Sequence, residues 1–185
     1  MRLLTLALAL TLAAAPLAAD PLDLIDYEGL FAANPDAVED ISELRQILRV
    51  GDVTLLYDRV EDKPYAGIDE SGEGAVGCFV GILATIESAV RACEVVLPDE
   101  QLAIQSDYQT RALNFYADNL PGVDRTTVQD RFDALVSGQV EGTRPFCANI
   151  DLVTDLADRI FTPDSAEEID GMLSIPRLPV GNPCL

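Results

Sequence analysis

The segment Ala75–Val96, AVGCFVGILATIESAVRACEVV, decides the fold of this chain. It is apolar on most sides, and its main polar interruptions are Glu87, Ser88, Arg91 and Glu94. A helix with so little polar surface is normally buried, with the other elements packed around it. We therefore predict a mostly α-helical protein, a small helical bundle around this central helix.

The four cysteines are Cys78, Cys93, Cys147 and Cys184, and four cysteines allow three pairings. Cys78 and Cys93 lie on the predicted central helix at a separation of about 22 Å, whereas a disulfide requires Cα atoms within about 7 Å. These two cysteines therefore cannot pair with each other. The next two helices run out and back, which brings Cys147 near Cys93. We predict the disulfides Cys93–Cys147 and Cys78–Cys184. The sequence has no closely spaced pair of cysteines of the kind that binds zinc, so the cysteines do not indicate a metal site.

The rest of the chain is mainly helical in pattern. Before the central segment, Asn34-Pro35 predicts a helix start, apolar residues at helical spacing follow, and Gly51 predicts the helix end. The apolar run Val53–Val60 favours a short strand, so we expect at most one strand or hairpin at 53–66. After the central segment we predict four helices: Glu100–Leu120, one from the capping box Thr126–Gln129, one after Asn149, and a short one from the capping box Ser165–Glu168 to about Leu173.

Both ends of the chain are distinctive. Residues 1–19 have a basic start, an apolar run Leu3–Leu12 and small residues up to Ala19, the layout of a cleaved export signal. The mature chain, 20–185, is predicted to be one domain with its core at 75–161 and to be periplasmic or secreted. The proline-rich tail, 174–185, must be extended, and the predicted bridge to Cys78 would pin it to the central helix. We predict no membrane insertion.

Charge and composition exclude several functions. The chain has 32 acidic and 12 basic residues, a net charge of −20, and no histidine. Such a charge repels nucleic acid and attracts a basic partner. Without histidine there is no Ser-His-Asp or Cys-His site, and no motif for nucleotide binding occurs. We predict no catalytic residues, no metal and no cofactor, and the sequence indicates no oligomeric state. Hydrolysis by paired carboxylates is the remaining catalytic alternative.

The stretch Asp69–Gly74, DESGEG, has oxygen donors at the first, third and fifth positions of a calcium loop and glycine at the sixth. The twelfth position, where a glutamate should close the cage, is Val80. We therefore interpret the stretch as an acidic turn, with a weak calcium site as the alternative.

Two cysteine segments, CFVG at 78–81 and CEVVLPDEQL at 93–102, resemble the Rap/Tai family, the periplasmic immunity proteins of type VI secretion amidase toxins. Asn114–Pro121, Ala134-Leu135 and Phe146-Cys147 match further stations of that family, so the resemblance covers residues 77–147. It implies a small, mostly helical, disulfide-bonded periplasmic protein that binds and blocks a cell-wall hydrolase. The family's usual His-Pro is absent here.

These observations favour an exported, non-catalytic binding or inhibitory protein whose partner is a basic protein. The alternatives are an envelope structural or chaperone-like protein and, with less support, a carboxylate-based hydrolase.

Overall fold

The computed structural model describes residues 20–61 and 64–184. The predicted export signal lies outside these residues. The helices and strands of the described residues are α1 Tyr27–Ala33, β1 Val38–Asp40, β2 Arg45–Val50, β3 Val53–Asp58, β4 Tyr65–Asp69, α2 Val76–Cys93, α3 Asp99–Asn119, α4 Arg125–Thr143, α5 Asp151–Ile160 and α6 Ala166–Met172. Short 3-10 turns occupy Pro35–Ala37, Arg144–Asn149 and Pro163–Ser165.

The N-terminal half forms a four-stranded antiparallel sheet in the order β1-β2-β3-β4. The prediction of a mostly helical bundle is therefore wrong, and so is the predicted helix from Pro35 to Gly51. The strand predicted at Val53–Val60 is confirmed as β3, Val53–Asp58, but it belongs to this larger sheet.

The turn between β2 and β3 explains the error. Val50 pairs with Val53, so Gly51 and Asp52 form a two-residue hairpin turn, and Gly51 has a φ of 58°. A two-residue Gly-Asp turn between β-branched residues is a hairpin signal. The prediction instead followed the spacing of Val38, Ile41 and Leu44. Three apolar residues spaced three apart are compatible with a helix and also with two short strands joined by a turn.

The predicted central helix is confirmed as α2. Its side chains Val76, Val80, Leu83 and Ile86 are fully buried, and it packs most extensively against α4. Among the described residues, α2 has the length and composition of a membrane-spanning helix, but 56% of that stretch is buried inside the fold. Its apolar character is therefore explained by its central place in the core.

The helix starts differ from the predicted capping boxes. α4 begins at Arg125, and the Asp124 carboxylate caps it by accepting from the Thr127 N–H at 2.7 Å. Asp124 displaces Thr126 as the cap because its carboxylate reaches the free amides of the first turn. The Ser165 hydroxyl donates to the carbonyls of Ile160 and Thr162 instead of capping α6.

Candidate functional site

The two disulfides join Cys78 to Cys184 and Cys93 to Cys147, with Cα–Cα distances of 5.1 and 5.3 Å. This is the connectivity that the sequence predicted. α2 therefore carries one bridge near each end. The two bonds are compatible with an oxidising compartment outside the cytoplasm.

The tail lies against β4 and the start of α2. The Asp69 N–H donates to the Asn182 carbonyl at 2.7 Å, and the Gly77 N–H donates to the Val180 carbonyl at 2.9 Å. Val180 is fully buried. A Cβ at Gly67 would lie 2.2 Å from the Val180 side chain, and one at Gly77 would lie 2.6 Å from the Val180 carbonyl oxygen. Both glycines are therefore required for the close approach of the tail.

A buried arginine fixes the tail from within. Arg177 Nε donates to Asp69 Oδ2 at 2.5 Å, and both side chains are only 1% exposed. Three of the other four guanidinium N–H groups donate to the carbonyls of Gly74, Met172 and Ile175. Four of the five N–H groups are thus bonded within the fold, so the pair has a structural role.

The same contacts involve Asp69, the first residue of the calcium-like stretch Asp69–Gly74. Asp69 Oδ2 is committed to Arg177, and Asp69 Oδ1 accepts from the N–H and hydroxyl of Ser71. Within the part of the chain that the structure describes, no group of three His, Cys, Asp or Glu residues could hold a metal ion. Both oxygens of Asp69, the first residue of the calcium-like stretch, are therefore bonded within the fold.

A second buried carboxylate, Asp20, also serves the fold. It accepts from the N–H groups of Leu22, Leu24 and Ile25 and from the Tyr116 hydroxyl. Burial raises the pKa of the Asp20 carboxyl even though these hydrogen bonds act to lower it. Burial, together with the Asp20 charge, raises the pKa of Tyr116. This network ties the first described residues to α3.

Several highly exposed apolar side chains lie near the other bridge. Among the described residues, the four most exposed large apolar side chains are Val96 at 90%, Leu152 at 73%, Val60 at 67% and Phe146 at 66%. Three of them lie close in sequence to the Cys93–Cys147 disulfide. We call Val96, Phe146 and Leu152 the apolar tip.

The Cys93–Cys147 disulfide joins the two chain segments that carry the apolar tip. Phe146 adjoins Cys147, and the Cα of Val96 can lie no more than about 11 Å from that of Cys93, the reach of three residues. Leu152 follows Cys147 by five residues of helical chain, about 8–10 Å. The three side chains therefore lie on segments that adjoin the same bridge, and a covalent bond joins those two segments.

The backbone at the apolar tip is unusual. Glu94, which ends α2, has a φ of 54° in the left-handed region. This conformation costs a residue other than glycine about 1–2 kcal/mol. The Glu94 N–H closes the helix by donating to the Val90 carbonyl, and the left-handed turn directs the following residues, including Val96, away from the helix axis.

The surroundings of the apolar tip are acidic. Exposed carboxylates occur on each segment that carries it: Glu94, Asp99, Glu100, Asp151 and Asp155. The nearest arginine along the chain, Arg144, pairs with Glu141 at 3.1 Å. The arrangement presents three apolar side chains on segments that also carry exposed carboxylates.

Two hollows at the surface of the described chain differ in the polarity of the side chains that line them. A hollow of about 540 Å³ between α3 and α6 is open and polar, and its Arg111 is paired with Asp170 and Asp107. A smaller hollow of about 320 Å³ lies between α2, α5 and α6 and is lined mainly by apolar side chains.

Sequence reasoning predicted the disulfides but missed the apolar tip and the buried arginine. The tip had little local signal, because Phe146 is followed by Cys147 and Ala148, and Leu152 by Val153. Arg177 had none, because its partner Asp69 lies 108 residues away.

Comparison with protein-family models, with curated proteins and with solved structures finds no match to this chain.

Proposed function

We propose that this chain is an exported, non-catalytic binding protein that covers part of the surface of a basic protein partner. The observation that carries the proposal is the apolar tip: three highly exposed apolar side chains held around the Cys93–Cys147 disulfide among carboxylates. Exposed apolar clusters with polar rims are typical of protein-binding sites.

The energetics suit such a contact. Burying one large apolar side chain contributes about 1.5–3 kcal/mol, so three contribute roughly 5–9 kcal/mol. Association costs about 4–15 kcal/mol in lost freedom, so the apolar tip alone gives weak binding. The surrounding carboxylates add attraction to a basic rim and accelerate encounter. Binding should therefore weaken as salt is added.

The buried ionisable side chains support a non-catalytic role. Asp20, Asp69 and Arg177 are each directed into the fold by several hydrogen bonds. A carboxylate pair for glycoside hydrolysis has to face a cleft about 5–10 Å apart, and these groups do not. The action that we propose is occlusion of a partner's surface.

The resemblance to the Rap/Tai family supports a more concrete version, in which the partner is a cell-wall hydrolase. The matching residues, 77–147, fall entirely within the helical half, from α2 to the turn that carries Cys147, and include the Cys93–Cys147 bridge. The sheet lies outside this region. The proposed partner is then a basic hydrolase that is inactive while the chain is bound.

Capture from an envelope extract tests the proposal. Phe146→Ser is compared with Val60→Ser, because the two side chains are 66% and 67% exposed but only Phe146 belongs to the apolar tip. We expect the wild-type chain and V60S to retain a basic protein that elutes with moderate salt, and F146S to lose it. The captured protein is then purified and titrated against all three chains.

Equal retention by F146S and V60S would contradict the proposal. An acidic partner, or one whose affinity does not depend on salt, would also contradict it. The chaperone-like alternative predicts broad, salt-insensitive capture of many proteins and binding of an apolar dye that increases at acidic pH.

A further inference from the structure

The hollow between the start of α2 and the two C-terminal helices, which we call the α5–α6 pocket, has a volume of about 320 Å³. It lies beside Cys78, at the other end of α2 from Cys93, and its α5 wall begins at Leu156, about one helical turn from Leu152 of the apolar tip. Its walls are mainly aliphatic and aromatic: Phe79, Ile82, Leu156, Ile160, Ile169 and Met172. The pocket is therefore suited to an apolar group.

The polar groups of the pocket are few. Arg159 and Glu168, both exposed residues, line it together with Ser165. Ser165 is committed to the carbonyls of Ile160 and Thr162. Across residues 20–61 and 64–184, Arg159 makes no hydrogen bond or ion pair, although Glu168 lines the same pocket.

Among the described residues Arg131 of α4 also has no hydrogen bond or ion pair, but Arg159 is the one of the two that lines the α5–α6 pocket. The sequence has 12 basic residues against 32 acidic ones, so carboxylates to pair with are abundant. Arg91, Arg111 and Arg144 are each paired with one on their own helix or its neighbour. An arginine that lies free beside an apolar pocket can instead receive the anionic end of an apolar ligand.

We propose that the α5–α6 pocket binds a small amphipathic monocarboxylate, a medium-chain fatty acid in free form. The alkyl chain occupies the apolar walls, and the carboxylate accepts hydrogen bonds from the Arg159 guanidinium. A water-sized group takes about 30 Å³, so the pocket holds about ten such groups. Octanoate, with eight carbons and two oxygens, is therefore the probe of choice.

Glu168 limits the negative charge of a ligand that the pocket can bind. A second carboxylate on the ligand would lie beside Glu168 and be repelled, so the pocket favours a single negative charge. Removing the Glu168 charge should strengthen octanoate binding, because the remaining field around the carboxylate is then dominated by Arg159. A cationic ligand would show the opposite response.

The test is calorimetric titration of the full mature chain with octanoate, with octanol as the uncharged analogue and octyltrimethylammonium as the cationic one. Arg159→Gln is compared with Arg131→Gln, which removes an exposed arginine from α4, away from the pocket. Charge-assisted hydrogen bonds contribute about 1.5–3 kcal/mol, so we expect R159Q to weaken octanoate binding at least about tenfold.

R131Q should bind octanoate as the wild type does, Glu168→Gln should bind it more tightly, and octanol should bind more weakly than octanoate. Equal octanoate affinity in R159Q and R131Q would overturn the proposal. So would tighter binding of the cation, or no saturable octanoate binding up to about 1 mM, the weak end of ligand affinity. Binding only to phospholipid vesicles and not to free octanoate would also refute it.

Discussion

Replacing Arg177 with methionine should destabilise this protein more than most single substitutions. The guanidinium holds the tail to the sheet through Asp69 and to the backbone through three carbonyls, and the ion pair is 1% exposed on both sides. Methionine fills part of the space but leaves the Asp69 carboxylate buried without its counter-ion. Ser71 alone then donates hydrogen bonds to that carboxylate.

The magnitude follows from the burial of the pair. Removing one partner of a buried ion pair costs about 3–5 kcal/mol, which is a large part of the roughly 5–15 kcal/mol that stabilises a typical domain. With a urea dependence of about 2 kcal/mol per molar, the unfolding midpoint should fall by about 1.5–2.5 M.

Urea unfolding followed by circular dichroism measures this effect. Arg131→Met, on the exposed face of α4, serves as the control and should change stability by no more than about 0.5 kcal/mol. In the double variant Asp69→Leu/Arg177→Met no buried charge is left unpaired, so it should recover part of the loss. If R177M lost less than about 1 kcal/mol, the bridge and Val180 alone would hold the tail and the reasoning would be refuted.

Three further predictions test other contacts. Gly77→Ala should cost about 1–3 kcal/mol because its Cβ would meet the backbone of the tail, whereas Gly138→Ala, with open space around its Cβ, should stabilise α4 by about 0.5–1 kcal/mol; thermal unfolding separates the two, and equal effects would contradict the tight docking. The pKa of the Asp124 carboxyl is lowered, chiefly by the Thr127 N–H, so its stabilising contribution is present above pH 3.8 and is lost as the pH falls through the lower folded-state pKa. Asp124→Ala should therefore destabilise at pH 7 and less so in acid; a loss that grows toward acid pH would reverse the sign. Serine at both cysteines of the Cys78–Cys184 bridge, which spans 106 residues, should cost about 4–5 kcal/mol in the chain-entropy model, and an unchanged urea midpoint would show that this bond does not constrain the unfolded chain.

The sequence was informative where a single physical constraint dominated. An uninterrupted apolar segment predicted α2, and the length of that helix excluded a Cys78–Cys93 bond, which left the connectivity that the structure has. These inferences needed no knowledge of distant contacts.

The sheet was missed because short strands carry weak local signals. β1 has three residues, and apolar residues three or four apart between Val38 and Leu48 satisfy a helical pattern equally well. The Gly51-Asp52 turn was the deciding local feature. The capping of α4 was misplaced by two residues, since both Asp124 and Thr126 can cap a helix and only the packing of the helix selects between them.

The apolar tip and the α5–α6 pocket could be predicted only in part. Exposure of Phe146 or Leu152 depends on how the 3-10 turn Arg144–Asn149 and α5 pack beside the bridge, which no local pattern specifies. That Arg159 lines a pocket with Glu168 and makes no ion pair with it likewise depends on how α5 and α6 pack. Residues joined across more than a hundred positions, such as Asp69 and Arg177, are set by the fold as a whole.

Hydrogen–deuterium exchange on the purified complex tests the central claim most directly. If the apolar tip is the binding surface, the partner should slow exchange in residues 94–99 and 144–152 and leave the sheet, 38–69, unchanged. Protection confined to the sheet or to the α5–α6 pocket, with no change at the apolar tip, would contradict the account.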